Sequence, residues 1–431
     1  SRTAALIDRK AFVSCCALLV VVAAYQAVVV PLDRARRTTI RQDFDTFYYM
    51  AKAVHWHGHS ALDHAYLRRL ADQETGAGTI VVVTQPPFSL VPFVPLTYLP
   101  LERARVVWHG LCLATLAGVF LVLHRASTSA RLPLTAGAFV LVVALFQPLH
   151  HHFRNGQTNL LMLLLMASAV TLERSRWRSR DALAGFLLGF AIVSKIFPAL
   201  VVPLFLVRGR WRAVAWTLLA IITLTVVALP ITGWLDYLRY PEHLSASYYF
   251  GAGSDVSWNL SLKRYWMRFL DATTAPPLES VLRPAYALPL AWVFFQAWRE
   301  RRSSATSFEL RFWQACLLMT TVMASYWEYH MVFALGAYSL IADDAIGRRT
   351  LSPRMVAATA LCFLACCVPT RTLLDVSVMG VPALAWLRCS SSLLLAFILE
   401  WMALRLARQE RTAAIALRHA REPHRQVVDI G

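Results

Sequence analysis

The sequence predicts an all-α integral membrane protein, a bundle of about 12 transmembrane or re-entrant helices with two long outer loops. Hydrophobic residues make up 57% of the 431-residue chain and charged residues only 16%. Soluble domains are typically about 45–50% apolar and about 25% charged. The apolar residues also form serial segments close to the roughly 20-residue length that crosses a bilayer. We therefore treat residues 1–431 as one polytopic membrane domain.

The apolar segments define the predicted helices in chain order. They are Ala11–Leu32, Arg105–His124, Leu132–Leu149, Asn159–Leu172, Ala182–Val193, Phe197–Val207, Val214–Pro230, Arg283–Trp298, Phe308–Ser325, Met331–Ala342, Met355–Val368 and Met379–Ala403. The fifth and sixth segments are too short to cross alone, and Ser194-Lys195-Ile196 separates them. Interrupted helices are tolerated where protein encloses them. Residues 182–207 are therefore predicted to form a re-entrant, broken helical hairpin.

Positive charge predicts the orientation of the bundle. The net charge is +18, and most arginines lie in short loops between apolar segments, as is usual for cytoplasmic loops. This places both termini, and the basic tail 405–431, in the cytoplasm. Because cytoplasmic loops beside a membrane account for the positive net charge, we expect no nucleic-acid partner. The outer face then carries the two long loops, residues 33–104 and 231–282.

The first outer loop begins with two carboxylates, Asp43 and Asp45. A carboxylate within hydrogen-bond reach of a proton can act as a general base. The alternative is an ordinary helix N-terminus, with Asp43 as a cap or a partner of the helix dipole. Phe44–Trp56 is predicted to form an amphipathic interfacial helix. The prolines within Phe88–Leu101 predict an irregular segment at the interface.

Polar groups inside apolar segments are the other candidates. Lys195 is costly in an apolar hairpin, which suggests an anionic headgroup or phosphate as its partner; the alternative is a lysine that snorkels from a helix end. The amides of Gln157 and Asn159 could cap the following helix or bind sugar hydroxyls. His330 could assist proton transfer or hold a phosphate. An interfacial histidine without function is the alternative.

Further residues complete the predicted site. Arg41 and Arg264 join Lys195 as predicted ligands of a phosphate. The predicted sugar or acceptor ligands are Gln157, Asn159, Tyr48, Trp258, Asn259 and Glu328. The histidine tracts 55–59 and 150–152 lack fixed carboxylate or cysteine companions, which makes them a weak zinc signal. We expect no metal and no cofactor.

Several short motifs carry a resemblance to a known family. They are Asp43-Phe44-x-x-Phe47-Tyr48-x-x-Ala51, Pro86-Pro87-Phe88 with Leu99-Pro100, Gly156-Gln157-x-Asn159, Lys195-x-x-Pro198, Arg210-Trp211-Arg212-Ala213 and Trp327-x-x-His330. The order and placement of these motifs make the chain resemble glycosyltransferase family 87. The members of this family are membrane enzymes of the GT-C class that use polyprenyl-phosphate sugars. The first loop departs from the family pattern at Asp72–Gly78 and at Thr84-Gln85, where a tyrosine is usual. These departures leave the acceptor open.

The resemblance implies a GT-C-type bundle in a bacterial plasma membrane, with the active site on the outer face. It implies that Asp43 is the general base, with Asp45 as the alternate, and that Lys195 and His330 handle the lipid phosphate or the acceptor. The implied reaction is an inverting transfer of mannose, or else arabinofuranose, from a polyprenyl-phosphate donor to a lipid, glycolipid or polysaccharide. Membrane lipids would surround a monomer. The rival hypothesis is a secondary transporter or a flippase of lipid-linked sugars, which would also contain broken helices.

Overall fold

The computed structural model of the chain is helical throughout almost all of its described part. It describes residues 14, 16–35, 43–76, 85–127, 129, 132–250, 275–323, 327–348, 350–368, 377–378 and 381–421. Within these ranges, strand structure is limited to a short antiparallel pair, β1 (Ser377–Val378) and β2 (Val381–Pro382). The predicted all-α class is confirmed for these residues.

Every predicted apolar segment overlaps at least one helix, the segment Leu132–Leu149 is divided between two helices, and other helices lie in the predicted loops. They are α1 (Cys16–Val29), α2 (Val30–Ala35), α3 (Asp43–His57), α4 (His64–Thr75), α5 (Leu101–Ala126), α6 (Leu132–Leu145), α7 (Gln147–Asn155), α8 (Asn159–Thr171), α9 (Arg180–Ser194), α10 (Val202–Val207), α11 (Trp211–Thr232), α12 (Trp234–Phe250), α13 (Ala275–Arg299), α14 (Ala305–Val322), α15 (Ala334–Asp343), α16 (Pro353–Cys367) and α17 (Ala383–Arg421). Short 3-10 helices at Pro87–Tyr98, Phe197–Val201 and Glu328–Phe333 connect some of them.

Three of these helices are long and apolar enough to cross a membrane alone. They are α5, α11 and residues Leu387–Ala413 of α17. The pair α6 and α7 adds a fourth if it counts as one span, although it bends by 65° between Leu145 and Gln147. The predicted count of about 12 membrane helices stays a prediction. The range 231–282 is more helical than predicted, because α12 and the start of α13 occupy its two ends.

The arginine-rich loops that were predicted to be cytoplasmic lie together at one end of the bundle. The bonds that join them, donor first, are Arg174–Ala126 (2.7 Å), Arg208–Arg301 (2.9 Å), Ser129–Asp343 (2.7 Å) and Arg405–Thr350. Together with the Arg208–Glu173 ion pair (3.3 Å), these bonds connect all five predicted cytoplasmic loops, residues 125–131, 173–181, 208–212, 299–302 and 343–354, and the start of the tail. We call this the arginine-rich end.

The broken hairpin returns to the arginine-rich end. Arg210, which follows α10, pairs with Glu173 (2.8 Å) and Asp181 (3.4 Å), which lie just before and at the start of α9. Helix α9 runs for 15 residues, about 22 Å at 1.5 Å per residue. It ends where Lys195 adopts an extended backbone conformation, φ −160° and ψ 124°. Lys195 therefore lies at the tip of the hairpin, far from the arginine-rich end.

Two glycines let α9 and α11 approach closely. A side chain at Gly185 would collide with the carbonyl oxygen of Ala213, and one at Gly189 would meet that of Thr217 at 2.8 Å. A Gly-x-x-x-Gly spacing is typical of membrane helices whose backbones pack against each other. Sequence reasoning did not single out this spacing. The contact fixes the hairpin against α11, which leads away from the arginine-rich end.

Helix α3 is a core element rather than the predicted interfacial helix. Residues 44–51 are all buried, so the first two turns of the helix are covered on every side. The proline-containing 3-10 helix Pro87–Tyr98 covers it, with the ring of Phe93 stacked on Phe47 at 4.8 Å. Trp108 of α5 completes the cover, 4.5 Å from the Phe93 ring. The prediction of an amphipathic helix was wrong for this half because its polar residues find partners inside the protein.

Candidate active site

A tight turn between α7 and α8 brings Gln157 to the first acidic residue. Gly156 ends α7 in the left-handed conformation, φ +64°, which glycine adopts without steric cost. A Cβ on Gly156 would collide with the Cβ of Phe44, so only glycine lets the turn lie against the start of α3. The indole Nε1 of Trp108 donates to the Gly156 carbonyl at 2.9 Å and holds the turn there.

Asp43 lies at the start of α3 with its carboxylate held by this turn. The Nε2 of Gln157 donates a hydrogen bond to Oδ2 of Asp43, although the two residues are 114 positions apart. Asp43 lies outside the candidate membrane spans. The surrounding protein excludes water from the Asp43 carboxyl group and thereby raises its pKa to about 6. The Gln157 bond and the charge of Lys195 limit this rise. The carboxylate is therefore bound by a distant segment, which a plain helix start would not require.

Lys195 faces the same turn from the tip of the hairpin. Its Nζ donates to Oδ1 of Asn159 at 2.6 Å and to Oε1 of Gln157 at 3.4 Å. The ammonium also lies 5.8 Å from the ring centroids of Phe197 and Tyr329, within the range of cation–π attraction. These contacts direct the side chain into the protein, so the snorkelling alternative is not observed.

The amides of Gln157 and Asn159 do not cap α8. No side-chain capping bond is formed at Thr158, the residue that precedes the helix. Instead, Asn159 accepts from Lys195 and donates from Nδ2 to the Tyr329 carbonyl at 3.2 Å. Both amides are thus occupied by protein groups rather than held open for a sugar.

His330 lies in the 3-10 helix Glu328–Phe333 beside the tip of the hairpin. Its Nδ1 accepts from the backbone N–H of Trp327 at 2.9 Å, and its ring meets that of Phe197 edge-on at 6.0 Å. Burial and the charge of Lys195 hold the pKa of His330 well below its usual value. The imidazole is therefore neutral near pH 7, and it would act on a ligand as a hydrogen-bonding group rather than as a cation.

Asp45 differs from Asp43 in its partner. Arg105, in the first turns of α5, donates from Nε (2.8 Å) and Nη2 (2.7 Å) to the two oxygens of the Asp45 carboxylate. The side chain of Asp45 is 0% exposed and that of Arg105 is 6% exposed. A carboxylate engaged on both oxygens and shielded from solvent is poorly placed to take a proton from a substrate. The geometry favours Asp43 as the base.

Glu328 and Tyr48, two predicted sugar ligands, also have protein partners. Glu328 forms a buried ion pair with Arg388 of α17 and lies 3.3 Å from Nε2 of His151. The Tyr48 hydroxyl donates to the Leu99 carbonyl at 2.8 Å, and its side chain is buried. These contacts fix the Glu328–Phe333 segment and α3, so neither residue is placed to meet a ligand.

The other predicted ligands lie outside the described residues: Arg41, Trp258, Asn259 and Arg264. Among the described residues, no group of three or more His, Cys, Asp or Glu side chains is arranged to hold a metal ion. The site that remains is built from Asp43, Gln157, Asn159, Lys195 and His330.

Sequence reasoning missed the supporting residues Arg105, Trp108 and Arg388. Two of them carried a usable signal, because an arginine inside an apolar segment needs a buried partner. Arg105 and Arg388 both fall within predicted helices. Their partners, Asp45 and Glu328, were instead interpreted as site residues. For Trp108, nothing in the sequence distinguishes it from the other tryptophans.

Comparison with known proteins supports the resemblance. The model of glycosyltransferase family 87 matches residues 84–325, which is more than half of the chain. The chain belongs to glycosyltransferase family 87. The matched range includes Gln157, Asn159 and Lys195, whereas Asp43 and His330 lie outside it. Membership of this family makes the protein a membrane glycosyltransferase and removes the support for a transporter.

One curated relative is similar over part of the chain. The polyprenol-phosphate-mannose-dependent alpha-(1-2)-phosphatidylinositol pentamannoside mannosyltransferase of Mycolicibacterium smegmatis is 33% identical over 132 residues. The matched stretch is 31% of this family 87 chain and 31% of the relative. The chain thus matches less than a third of that relative's length.

Proposed function

We propose that this glycosyltransferase transfers mannose from a polyprenyl monophosphate to a hydroxyl group of a glycolipid at the outer face of the plasma membrane. The observation that carries the proposal is the meeting of Asp43 and Lys195 through Gln157, far from the arginine-rich end. The name of the M. smegmatis relative supports a polyprenol-phosphate-mannose donor and a phosphatidylinositol mannoside acceptor. Arabinofuranose is the second candidate for the sugar.

Asp43 would act as the general base. A positioned carboxylate removes the proton of the attacking hydroxyl, which typically contributes about 10²–10⁴-fold to a rate. The acceptor oxygen then forms a bond to the anomeric carbon while the bond from that carbon to the phosphate oxygen breaks. The sugar is transferred in a single displacement with inversion, and the proton stays on Asp43 until solvent removes it.

Lys195 would stabilise the leaving group. Polyprenyl phosphate gains negative charge as it departs, and a fixed ammonium near that oxygen lowers the energy of the transition state. His330 would offer a neutral hydrogen bond at the same place. A Lys side chain suits this task because its ammonium is a compact charge with three donors, of which Asn159 and Gln157 use two.

The test is transfer by the purified protein in lipid nanodiscs. Synthetic polyprenyl-phosphate mannose is the donor, a phosphatidylinositol mannoside is the acceptor, and polyprenyl-phosphate arabinofuranose is the comparison. We expect mannosyl transfer with wild type and a loss of about 10²-fold or more with Asp43→Asn, at unchanged thermal stability. Full activity of Asp43→Asn would refute the base assignment, and wild-type transfer of arabinofuranose alone would refute mannose.

A further inference from the structure

Gln157 occupies the position between the acid and the cation of the site. Its Nε2 donates to the Asp43 carboxylate, and its Oε1 accepts from the Lys195 ammonium at 3.4 Å. No ion pair within 4.0 Å joins Asp43 directly to Lys195 in the described structure. Lys195 is nonetheless near enough for its charge to act on Asp43. The amide therefore separates two opposite charges that would otherwise attract each other.

The charges on both sides fix the orientation of this amide. In the observed orientation the N–H faces an anion and the oxygen faces a cation. A flipped amide would place its oxygen against the carboxylate and its NH2 group against the ammonium, and both contacts would be repulsive. The backbone of Gln157 is held as well, since its N–H donates to the His152 carbonyl at 3.2 Å.

Lys195 does not depend on Gln157 for its position. Its shorter bond is to Oδ1 of Asn159 at 2.6 Å, and Asn159 is anchored in turn to the Tyr329 carbonyl. Removal of the Gln157 amide therefore leaves the cation tethered, whereas Asp43 loses the only side-chain donor that it has among the described residues.

We propose that Gln157 is a positioning residue that keeps the general base and the phosphate-binding cation in register but apart. The inference rests on the proposed function of this site. A direct Asp43–Lys195 pair would engage the ammonium on the carboxylate and leave it less available to the departing phosphate. With the amide between them, the Asp43 carboxylate is hydrogen-bonded to a neutral group and can still accept a proton. The Lys195 ammonium keeps one N–H donor for the phosphate. Gln157 thus acts through Asp43 and Lys195, not through a contact with sugar.

The test uses two variants of the same shape, Gln157→Glu and Gln157→Met, in the full-length protein. Rates of mannosyl transfer are measured against pH, and kcat and KM for the donor are determined separately. Gln157→Glu places a like charge against Asp43, which should move the acid limb of the pH profile upward by about one unit or more. Gln157→Met should lower kcat by about 10-fold or more, since it removes a bond to a charged group, with KM for the donor nearly unchanged.

Gln73→Glu is the matched control, because this exposed residue of α4 gains the same charge on the surface. It should leave the acid limb in place. If both Gln157 variants raise KM and the acid limb does not move, the residue contacts substrate and the inference is wrong. If Gln157→Glu fails to fold, the split between kcat and KM of Gln157→Met decides alone. An inactive wild type with every lipid-linked sugar would instead refute the proposed function.

Discussion

At the scale of single residues, the two neighbouring acids at the start of α3 have different partners. Asp43 accepts one side-chain hydrogen bond, on Oδ2, from the neutral amide of Gln157. Asp45 is engaged on both oxygens by Arg105 inside the core. Their spacing of two residues puts them on different sides of α3, because successive helical residues are about 100° apart. Within the first turn of α3, Asp43 is thus directed toward the site and Asp45 toward Arg105 of α5.

Asp45→Asn is expected to reduce stability more than chemistry. Removal of one partner from a buried ion pair typically costs about 3–5 kcal/mol, since the other charge is left uncompensated. Thermal unfolding in nanodiscs measures the loss, and Asp72→Asn on the exposed face of α4 is the control. The double variant Asp45→Asn with Arg105→Gln should recover part of the loss. Normal stability with abolished transfer would instead make Asp45 the base.

The raised pKa of Asp43, about 6, predicts the pH dependence of transfer. A general base works only when it is deprotonated, and a raised pKa means that protonation begins at a higher pH than for an ordinary aspartate. The rate should therefore be half-maximal near pH 6, fall at lower pH, and level off at higher pH. The pH profile of kcat/KM, which reports ionisations of the free enzyme, measures this. An acid limb near pH 4, the usual range for aspartate, would contradict the assigned environment.

At the scale of elements, the site exists because the turn at Gly156 lies directly on α3. Loss of this contact would displace Gln157 even though no polar side chain of the site had been substituted. Helix α7, the turn and α8 are adjacent in sequence, whereas Phe44 of α3 lies 112 positions before Gly156. The contacts of Gly156 with Phe44 and Trp108 therefore fix the position of Gln157, which in turn holds the Asp43 carboxylate.

Gly156→Ala should disturb both stability and transfer. The left-handed conformation costs an alanine about 1–2 kcal/mol, and overpacking against Phe44 adds about 1–3 kcal/mol. Gly76→Ala is a matched control, since Gly76 has nearly the same φ of +66° but nothing within 4 Å of an added Cβ. Unfolding midpoints and transfer rates of the two variants are compared. Equal effects of both substitutions would show that the contact with Phe44 is unimportant.

At the scale of the whole molecule, the arginine-rich end and the site lie at opposite ends of α8 and α9. Arg210 closes the hairpin onto Glu173 and Asp181 at one end, and Lys195 meets Asn159 at the other. A positively charged cluster of loops is usual on the cytoplasmic side. The candidate site would then face the outside, as the proposed function requires.

Cysteine labelling tests this orientation. Asp72→Cys in the first outer loop should react with a membrane-impermeant maleimide on intact cells, whereas Arg178→Cys should react only after permeabilisation. Both positions are exposed in the structure, so access depends on the side of the membrane alone. The wild-type protein, with its eight native cysteines, gives the background. Labelling of Arg178→Cys on intact cells would invert the proposed topology.

Sequence reasoning predicted the helices well because apolar segments and their breaks are local properties. Lys195 shows this, since a lysine followed by Ile-Phe-Pro interrupts an apolar run and the structure ends α9 there. It predicted the partners of polar residues poorly. Gln157, Tyr48 and Glu328 were interpreted as ligands of a sugar, and each instead has a partner within the chain. A side chain's donors are visible in the sequence, but the group that they meet is not.

The sequence by itself determined the class of the protein, its family, the order of its helices and the identity of its candidate acid and cation. These follow from composition, hydrophobic segment length and short motifs, which need no knowledge of contacts. Only the tertiary structure decided that Arg105 engages Asp45, that Gln157 lies between Asp43 and Lys195, and that the hairpin returns to the arginine-rich end. The physical reason is that these bonds join residues 37 to 114 positions apart. Their energies depend on distances that packing alone sets.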